Sequence, residues 1–362
     1  MKRQLFTVLV CMTMFAVTSC GEKKGKDKFE ERIEKAKESV EDVVDDAKDQ
    51  IEDKADEVGE TLDKAKSKIE KAKKEIIREI DVQNVMTKSS LPVGGFSVNP
   101  YVGCPHACKY CYASFMKRFT GHTEPWGTFL DVKHWKPIDN PHKYDGQRIV
   151  IGSVTDGYHP YEEDFCRTRK LLEELKGTNA EIMICTKSDL VLRDIDLLKG
   201  FQKVTVSWSV NTLDEQFRCD MDRAVSIERR LKAMKQIYNA GIRTVCFISP
   251  IFPGITDVKA IVNRVKDYAD LIWLENLNLR GQFKRDIMGY IREKHPELVA
   301  LYDDIYNKKR KDYWQVLEQE VAAFAQAEGY PYRINDLPYG RSQKGKPVIV
   351  NYFYHEKIRL KK

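Results

Sequence analysis

From Ser97 to Leu274 the chain alternates short apolar runs with longer amphipathic stretches, and this rhythm narrows the possible folds more than any other feature. The strand-like runs are Ser97–Val102, Arg148–Ile151, Glu181–Cys185, Lys203–Val210, Arg243–Ile248 and Leu271–Leu274. Between them, Glu162–Lys176, Leu192–Gly200, Ser226–Ala240 and Thr256–Tyr268 carry helical patterns. Strands separated by helices describe successive βαβ units, which build a parallel sheet with helices packed against it. Six strands are too few for a complete eightfold barrel. The expected fold class is therefore α/β, a partial, open (β/α)6 barrel of the TIM type. In such folds the working site lies at the carboxyl ends of the strands.

The charge is unevenly spread. Of 362 residues 32% are charged, and residues 21–81 hold 21 acids against 16 bases, while residues 82–362 carry a net charge of +9. A mildly basic body is compatible with an anionic partner such as nucleic acid, but a solvated surface accounts for it better. From Phe29 to Ile76 the apolar residues recur at steps of three and four, with successive fours from Ala47 to Ala55, so a narrow stripe stays on one helix face. Residues 21–79 thus read as a charged amphipathic helix or coiled-coil spacer. The start, MKRQLFTVLVCMTMFAVTSC, has a basic pair and an apolar run from Leu5 to Val17, too short to span a bilayer but suited to a signal peptide. It resembles a bacterial lipoprotein signal over residues 1–20, which implies lipidation of Cys20 and a membrane anchor. Composition changes near Ile80, where Pro, Gly and aromatic residues appear. Residues 80–300 read as the core domain, and 301–362 as a C-terminal α+β extension packed on it.

Nine cysteines in an exported chain invite a disulfide reading. Setting aside Cys11 and Cys20 leaves an odd number, with three crowded into VGCPHACKYCYA, a poor disulfide framework. Cys185 and Cys246 lie in apolar runs and read as core residues, while Cys166 falls inside a helical pattern. Cys104, Cys108 and Cys111 place three thiolates on one short loop, enough for three corners of a metal site or a cuboidal iron–sulfur cluster. Three ligands rather than four would leave one iron open. Zinc with His106 as fourth ligand stays open on spacing alone, although no second C-x-x-C pair follows.

The motif Cys104-Pro-His-Ala-Cys108-Lys-Tyr110-Cys111, placed after a first strand and before repeated β/α units, resembles the signature of radical S-adenosylmethionine (radical SAM) enzymes. The resemblance implies a [4Fe-4S] cluster whose open iron binds S-adenosyl-L-methionine. Reductive cleavage would yield a 5′-deoxyadenosyl radical that abstracts hydrogen from a substrate still to be identified, the cofactor carrying the difficult chemistry. NPYVGCPHACKYCYA, TDGYHPYE and TKSDLVLRDIDLL are similar to the spore photoproduct lyase branch. MTKSSLPVGGFSVNPYVGCPHACKYCYASFMKRFTGHTEPWGTFLDVK is similar to the B member of the radical SAM mobile pair, proteins encoded side by side on bacterial mobile elements. The likeness covers about residues 78–360 and implies an electron donor such as flavodoxin or ferredoxin, and a paired radical SAM protein.

The resemblance also assigns roles. Tyr110 would pack near the adenine. Thr155 and Asp156 would meet the methionyl amino group, where a carboxylate suits an ammonium. Lys187 would contact the cofactor's carboxylate, Ser209 and Asn211 the ribose hydroxyls, and Arg229 a carboxylate. Each also reads as an ordinary loop or capping residue. His122, Glu124 and Trp126 either line the substrate face or fix their loop, and Glu275, Asn276 and Asn278 form a polar row after the last strand. The basic runs KKRK (308–311) and RSQKGK (341–346) lack interleaved aromatic residues and read as solvated surface.

The spore lyase uses a cysteine near the end of its second strand to return a hydrogen atom, and here Gly152 or Ser153 stands there, which weighs against photoproduct repair. Two other readings remain: a membrane-anchored lipoprotein fused to a catalytically silent radical SAM-like domain, and a nucleic-acid-modifying lyase. The signal implies a membrane location, whereas cluster assembly implies the cytoplasm. An internal start within about residues 78–86, for which Met86 is available, would reconcile the two.

Overall fold

The computed structural model describes residues 77–89, 95–334 and 340–351; the expected leader with Cys20 and the spacer up to residue 76 lie outside them. The strands are β1 (Ile77–Asp81), β2 (Met86–Lys88), β3 (Phe96–Val98), β4 (Tyr101–Val102), β5 (Leu130–His134), β6 (Arg148–Ile151), β7 (Glu181–Thr186), β8 (Lys203–Ser209), β9 (Arg243–Ile251), β10 (Leu271–Asn276), β11 (Tyr332–Ile334) and β12 (Val348–Asn351). The large sheet runs β11-β12-β10-β9-β8-β7-β6-β3-β2. From β3 through β10 its neighbours pair in parallel. Spatial order there follows chain order, and β2 and β11 form two free ends, so the barrel stays open as expected.

These strands are apolar throughout because both faces are covered. Ile182, Ile184, Val206, Trp208, Ile248 and Leu274 belong to the large core shared with the helices. Val150, Met183, Val245, Leu271 and Trp273 form a separate cluster on the opposite, inner face. Cys246 is fully buried in the outer core, as expected, but Cys185 joins the inner cluster and pairs in register with Ser207.

Several boundaries differ from the expectation for identifiable reasons. The run Ser97–Val102 splits at Asn99-Pro100: β3 joins the large sheet, while β4 joins a small one ordered β1-β5-β4. Pro100 has no N–H to continue a ladder, and its carbonyl accepts from Lys133 at 3.1 Å. Residues 77–79, expected as the end of the helical spacer, are strand, paired in parallel from Ile77↔Leu130 to Asp81↔His134. The folded body therefore begins before Ile80.

The helix expected over Glu162–Lys176 is two, α1 (Glu162–Phe165) and α2 (Arg167–Leu175), separated by Cys166 in the left-handed region at φ 50°. The buried Glu162 carboxylate explains the break. It accepts from the amides of Thr168 at 2.9 Å and Arg169 at 3.1 Å, satisfying donors that open α2. Leu192–Gly200 becomes a 3-10 turn, Leu190–Asp194, followed by α3 (Ile195–Leu198). After α4 (Glu215–Met221), α5 (Ile227–Asn239) is capped by Ser226 and α6 (Val258–Val265) by Asp257, whose side chains accept from Arg229 and Ala260 amides. The C-terminal part adds α7 (Gly281–Lys294), α8 (Val299–Tyr306) and α9 (Asp312–Glu328). Its strand β12 pairs in parallel with β10, so this extension lengthens the sheet. Among the described residues no helix is long and apolar enough to cross a membrane.

Candidate active site

The cysteine loop leaves β4 and ends on a 3-10 helix, Tyr112–Phe119. Each cysteine opens a turn: the carbonyls of Cys104, Cys108 and Cys111 accept from Ala107 (3.0 Å), Cys111 (3.1 Å) and Ser114 (3.3 Å). Ala107 sits at φ 47°, and a Cβ on Gly127 would lie 2.7 Å from the Ala107 Cβ, so a glycine is needed where that neighbouring loop crosses. The loop is pinned from outside by Lys109 N–H to the Met221 carbonyl (2.9 Å) and Arg223 N–H to the His106 carbonyl (2.7 Å).

Burial pushes all three thiols up, Cys104 to about 12. N–H groups act against that rise. The backbone N–H groups of Asp156 and His106 favour charge on Cys104, and those of Ala113 and Ser114 with the Trp126 indole favour it on Cys111. The Lys187 ammonium also favours charge on Cys108 and Cys111. Cys104 is buried and Cys108 and Cys111 are half-buried. Sulfurs whose charge is favoured by N–H groups or by the Lys187 ammonium suit thiolates neutralised by bound iron, so the chain's residues fit an iron–sulfur cluster. Among the described residues no three His, Cys, Asp or Glu side chains are gathered tightly enough for a single metal ion. A cuboidal cluster, whose ligands attach to different irons, takes its thiols further apart. The His106 ring serves instead as a neighbour of Asp156, with Nε2 3.1 Å from Oδ2.

The Asp156 carboxylate is fully engaged. Oδ1 accepts from the Tyr158 amide (2.9 Å) and Thr186 hydroxyl (2.8 Å), and Oδ2 faces His106 and the Lys187 amide (2.7 Å). Burial would raise this carboxyl, but His106 and the amides outweigh it and hold it below the usual carboxylate range. Asp156 thus ties the loop after β6 to the end of β7. Its neighbour Thr155 keeps a buried hydroxyl with no protein partner, while its amide donates to Asn99 Oδ1 at 3.1 Å. Gly152, at φ 86°, lets this loop approach β7, because a Cβ would stand 2.3 Å from the Cys185 carbonyl oxygen.

Lys187 lies 5.6 Å from the centroid of the Tyr110 ring and makes no hydrogen bond or ion pair through Nζ among the described residues. Burial lowers its pKa, but Cys108 and Asp222 raise it further, and the ammonium remains charged. Tyr110 is buried edge-on to Phe252 and donates to Asp222 Oδ2 at 3.1 Å. Asp222, which sequence reasoning missed, accepts at Oδ1 from Arg230 (2.8 Å) and the Ala224 amide (3.1 Å). The fully buried Arg230 also donates to the carbonyls of Ser209 (3.1 Å) and Val225 (3.0 Å).

Arg229, expected at the site, instead forms a two-bond pair with Asp189, both contacts 2.8 Å. The buried face of α5 carries Ile227, Arg230, Leu231 and Met234, so helical period selects Arg230 and turns Arg229 away. Ser209 ends β8 half-buried. Asn211 is buried beyond it, and its Nδ2 has no partner among the described residues. Asn276, closing β10, is buried with neither amide atom bonded among the described residues. Glu275 accepts from the Ser249 hydroxyl, and burial raises its pKa.

Other candidates resolve as structure. His122 lies between Glu124 (3.0 Å) and Asp131 (2.8 Å) and stacks on Phe129, fixing its loop. Within KKRK, Lys308 pairs with Asp303 and Asp304, and Arg310 with Asp312; Arg341 pairs with Asp270.

An open parallel barrel carries a three-thiol loop and the Lys187 ammonium at its carboxyl mouth, an arrangement suited to the radical enzymes that the chain is similar to. The family model "Radical SAM superfamily" matches residues 98–264. An uncharacterized protein of Methanocaldococcus jannaschii is 36% identical over 235 residues, covering 65% of this chain and 88% of that protein. One of Acidianus two-tailed virus is 29% identical, covering 59% and 80%. Among solved structures, a spore photoproduct lyase with bound AdoMet and dinucleoside spore photoproduct aligns with a TM-score of 0.45 at 15% identity, over 60% of this chain and 67% of that one. This chain belongs to the radical SAM superfamily and is a radical SAM enzyme.

Proposed function

We propose that Cys104, Cys108 and Cys111 hold a [4Fe-4S] cluster and that this enzyme uses S-adenosylmethionine to begin hydrogen abstraction from its substrate. The observation that carries this reading is the loop of three cysteines, one buried and two half-buried, with the Lys187 ammonium favouring charge on Cys108 and Cys111. When bound, the cluster supplies the electron that splits S-adenosylmethionine into methionine and a 5′-deoxyadenosyl radical, which takes a hydrogen atom. Lys187 serves the methionyl carboxylate, a charge-assisted contact in a poorly solvated place. Thr155 Oγ1, Asn211 Nδ2 and Ser209 offer polar atoms to the amino group and ribose, and Asp156 positions the Thr155 and Lys187 backbones. Tyr110 and its aromatic neighbours keep water from the thiols.

An electron donor of the flavodoxin or ferredoxin kind completes the system, and membership of the mobile-pair group is the relationship we favour. Because clusters are assembled in the cytosol, we place the working enzyme there rather than on a Cys20 lipid anchor. Anaerobic purification from fractionated cells, with iron and sulfide assay and S-adenosylmethionine cleavage, tests this reading. Iron-loaded, cleaving protein in the soluble fraction is expected. Cluster-free protein confined to membranes, or a Cys108→Ala variant with undiminished cleavage, would overturn it.

A further inference from the structure

Immediately after Cys111 the chain exposes what the core should hide. In the eight-residue helix Tyr112–Phe119, Tyr112, Phe115 and Phe119 are 55%, 47% and 66% exposed. At three residues per turn Tyr112 and Phe115 share one face of this helix, and Phe119 stands a third of a turn round from Phe115. Arg118 lies over two of the rings, 5.5 Å from the Phe115 centroid and 4.6 Å from that of Phe119. Beside them lies a shallow hollow, open to solvent, lined by Ser114, Phe115, Lys117, Arg118, Gly121 and His122. The charged side chains of the strip are Lys117, which donates to the Thr123 carbonyl at 2.8 Å, and Arg118, while Glu124 and Asp131 both pair with His122. Tyr112 fastens the inner end of the strip to the barrel mouth by donating to the Ser153 carbonyl.

We propose that this strip binds single-stranded nucleic acid, the rings stacking on bases while Arg118 faces the phosphates. Exposed aromatic rings interleaved with cations provide both halves of such recognition, a sequence-tolerant stacking platform and charge for the backbone. The rings decide between partners: an acidic redox protein would meet the cation but needs no row of exposed rings, whereas successive bases stack on one. The strip begins at the barrel mouth, so a strand lying along it brings one nucleotide toward the cluster loop. The proposal rests on the radical reading only for what happens to that nucleotide, because binding is read without turnover.

The test is fluorescence anisotropy of the full-length protein with labelled oligothymidylate and oligouridylate of about twelve nucleotides, across a salt series. Binding should weaken as salt rises, Phe115→Ala/Phe119→Ala should weaken it about tenfold or more, and Arg118→Gln should reduce the salt slope by about one. Val316→Ala, an exposed apolar change elsewhere, should leave it unaltered. Three results would overturn the proposal: no binding of either oligonucleotide at low salt, unchanged affinity in the double variant, or losses confined to reduction by an acidic flavodoxin or to binding of anionic phospholipid vesicles. Binding without S-adenosylmethionine cleavage would leave this proposal standing while the radical reading fell.

Discussion

The Tyr110 hydroxyl donates to the Asp222 carboxylate at 3.1 Å, joining the cysteine loop to a buried ion pair that the loop does not itself contain. Asp222 and Arg230 are each about 1% exposed in their side chains and meet at 2.8 Å. Removing one member strands a charge out of water. Asp222→Ala is expected to cost about 3–5 kcal/mol, whereas Tyr110→Phe, which removes one hydrogen bond, should cost roughly 1–2 kcal/mol. Urea unfolding of both variants checks the ranking. Equal losses would mean that Arg230 finds another partner.

Lys187 presents a charged Nζ that makes no hydrogen bond or ion pair among the described residues, so its replacement removes the contact over the Tyr110 ring and the attraction of Asp222 but no hydrogen bond. Lys187→Met should cost about 1 kcal/mol of stability while weakening S-adenosylmethionine binding roughly tenfold or more, as loss of a hydrogen bond to a charged group does. Calorimetric titration of the reconstituted protein measures this directly. Unaltered affinity would place the cofactor's carboxylate elsewhere.

The parts of the site legible in the sequence are those that local pattern encodes. Strand runs with both faces apolar, and three cysteines in eight residues, need no knowledge of distant chain. The break at Cys166 was not legible, because it depends on a Glu162 carboxylate folding forward to cap α2. Asp222 gave no sign, since it lies between helices where no periodicity applies. Arg230 did leave one. Its place with Ile227, Leu231 and Met234 puts it on the buried face, but a charged side chain there reads as surface unless its partner is known. Cys185 packs against an apolar cluster, as a residue in an apolar run should, but alternation identifies two faces without saying which one lines the barrel.

β1 bears on where the enzyme begins. Its five residues pair in register with β5, and the His134 ring lies 2.6 Å from Glu79 across that pair. A chain beginning at Met86 would lack β1 and leave β5 as an edge strand. We expect it to be less stable by roughly 3 kcal/mol, the worth of a few lost strand hydrogen bonds, and more prone to associate through the freed edge. Comparing thermal unfolding and solubility of chains starting at residue 77 and at Met86 decides the matter. Identical behaviour would make β1 dispensable and Met86 a serviceable start.

His159 is fully buried, edge-on to Tyr101, and neither ring nitrogen has a protein partner. Burial, with His106 nearby, lowers its pKa from the ordinary 6.5 to about 3. In the unfolded chain this imidazole takes a proton below about pH 6.5, and in the folded chain it does not until about pH 3. The unfolded state thus binds more protons in that window, and stability falls as pH drops through it. Above pH 6.5 both states are neutral and the group has no effect on the pH dependence. The slope due to this one histidine should approach about 1.4 kcal/mol per pH unit near pH 5. His159→Phe, which keeps a ring against Tyr101, should remove that share of the slope between pH 6 and pH 4, as read from urea midpoints at each pH. A variant with the wild-type slope would show that the acid sensitivity comes from other groups.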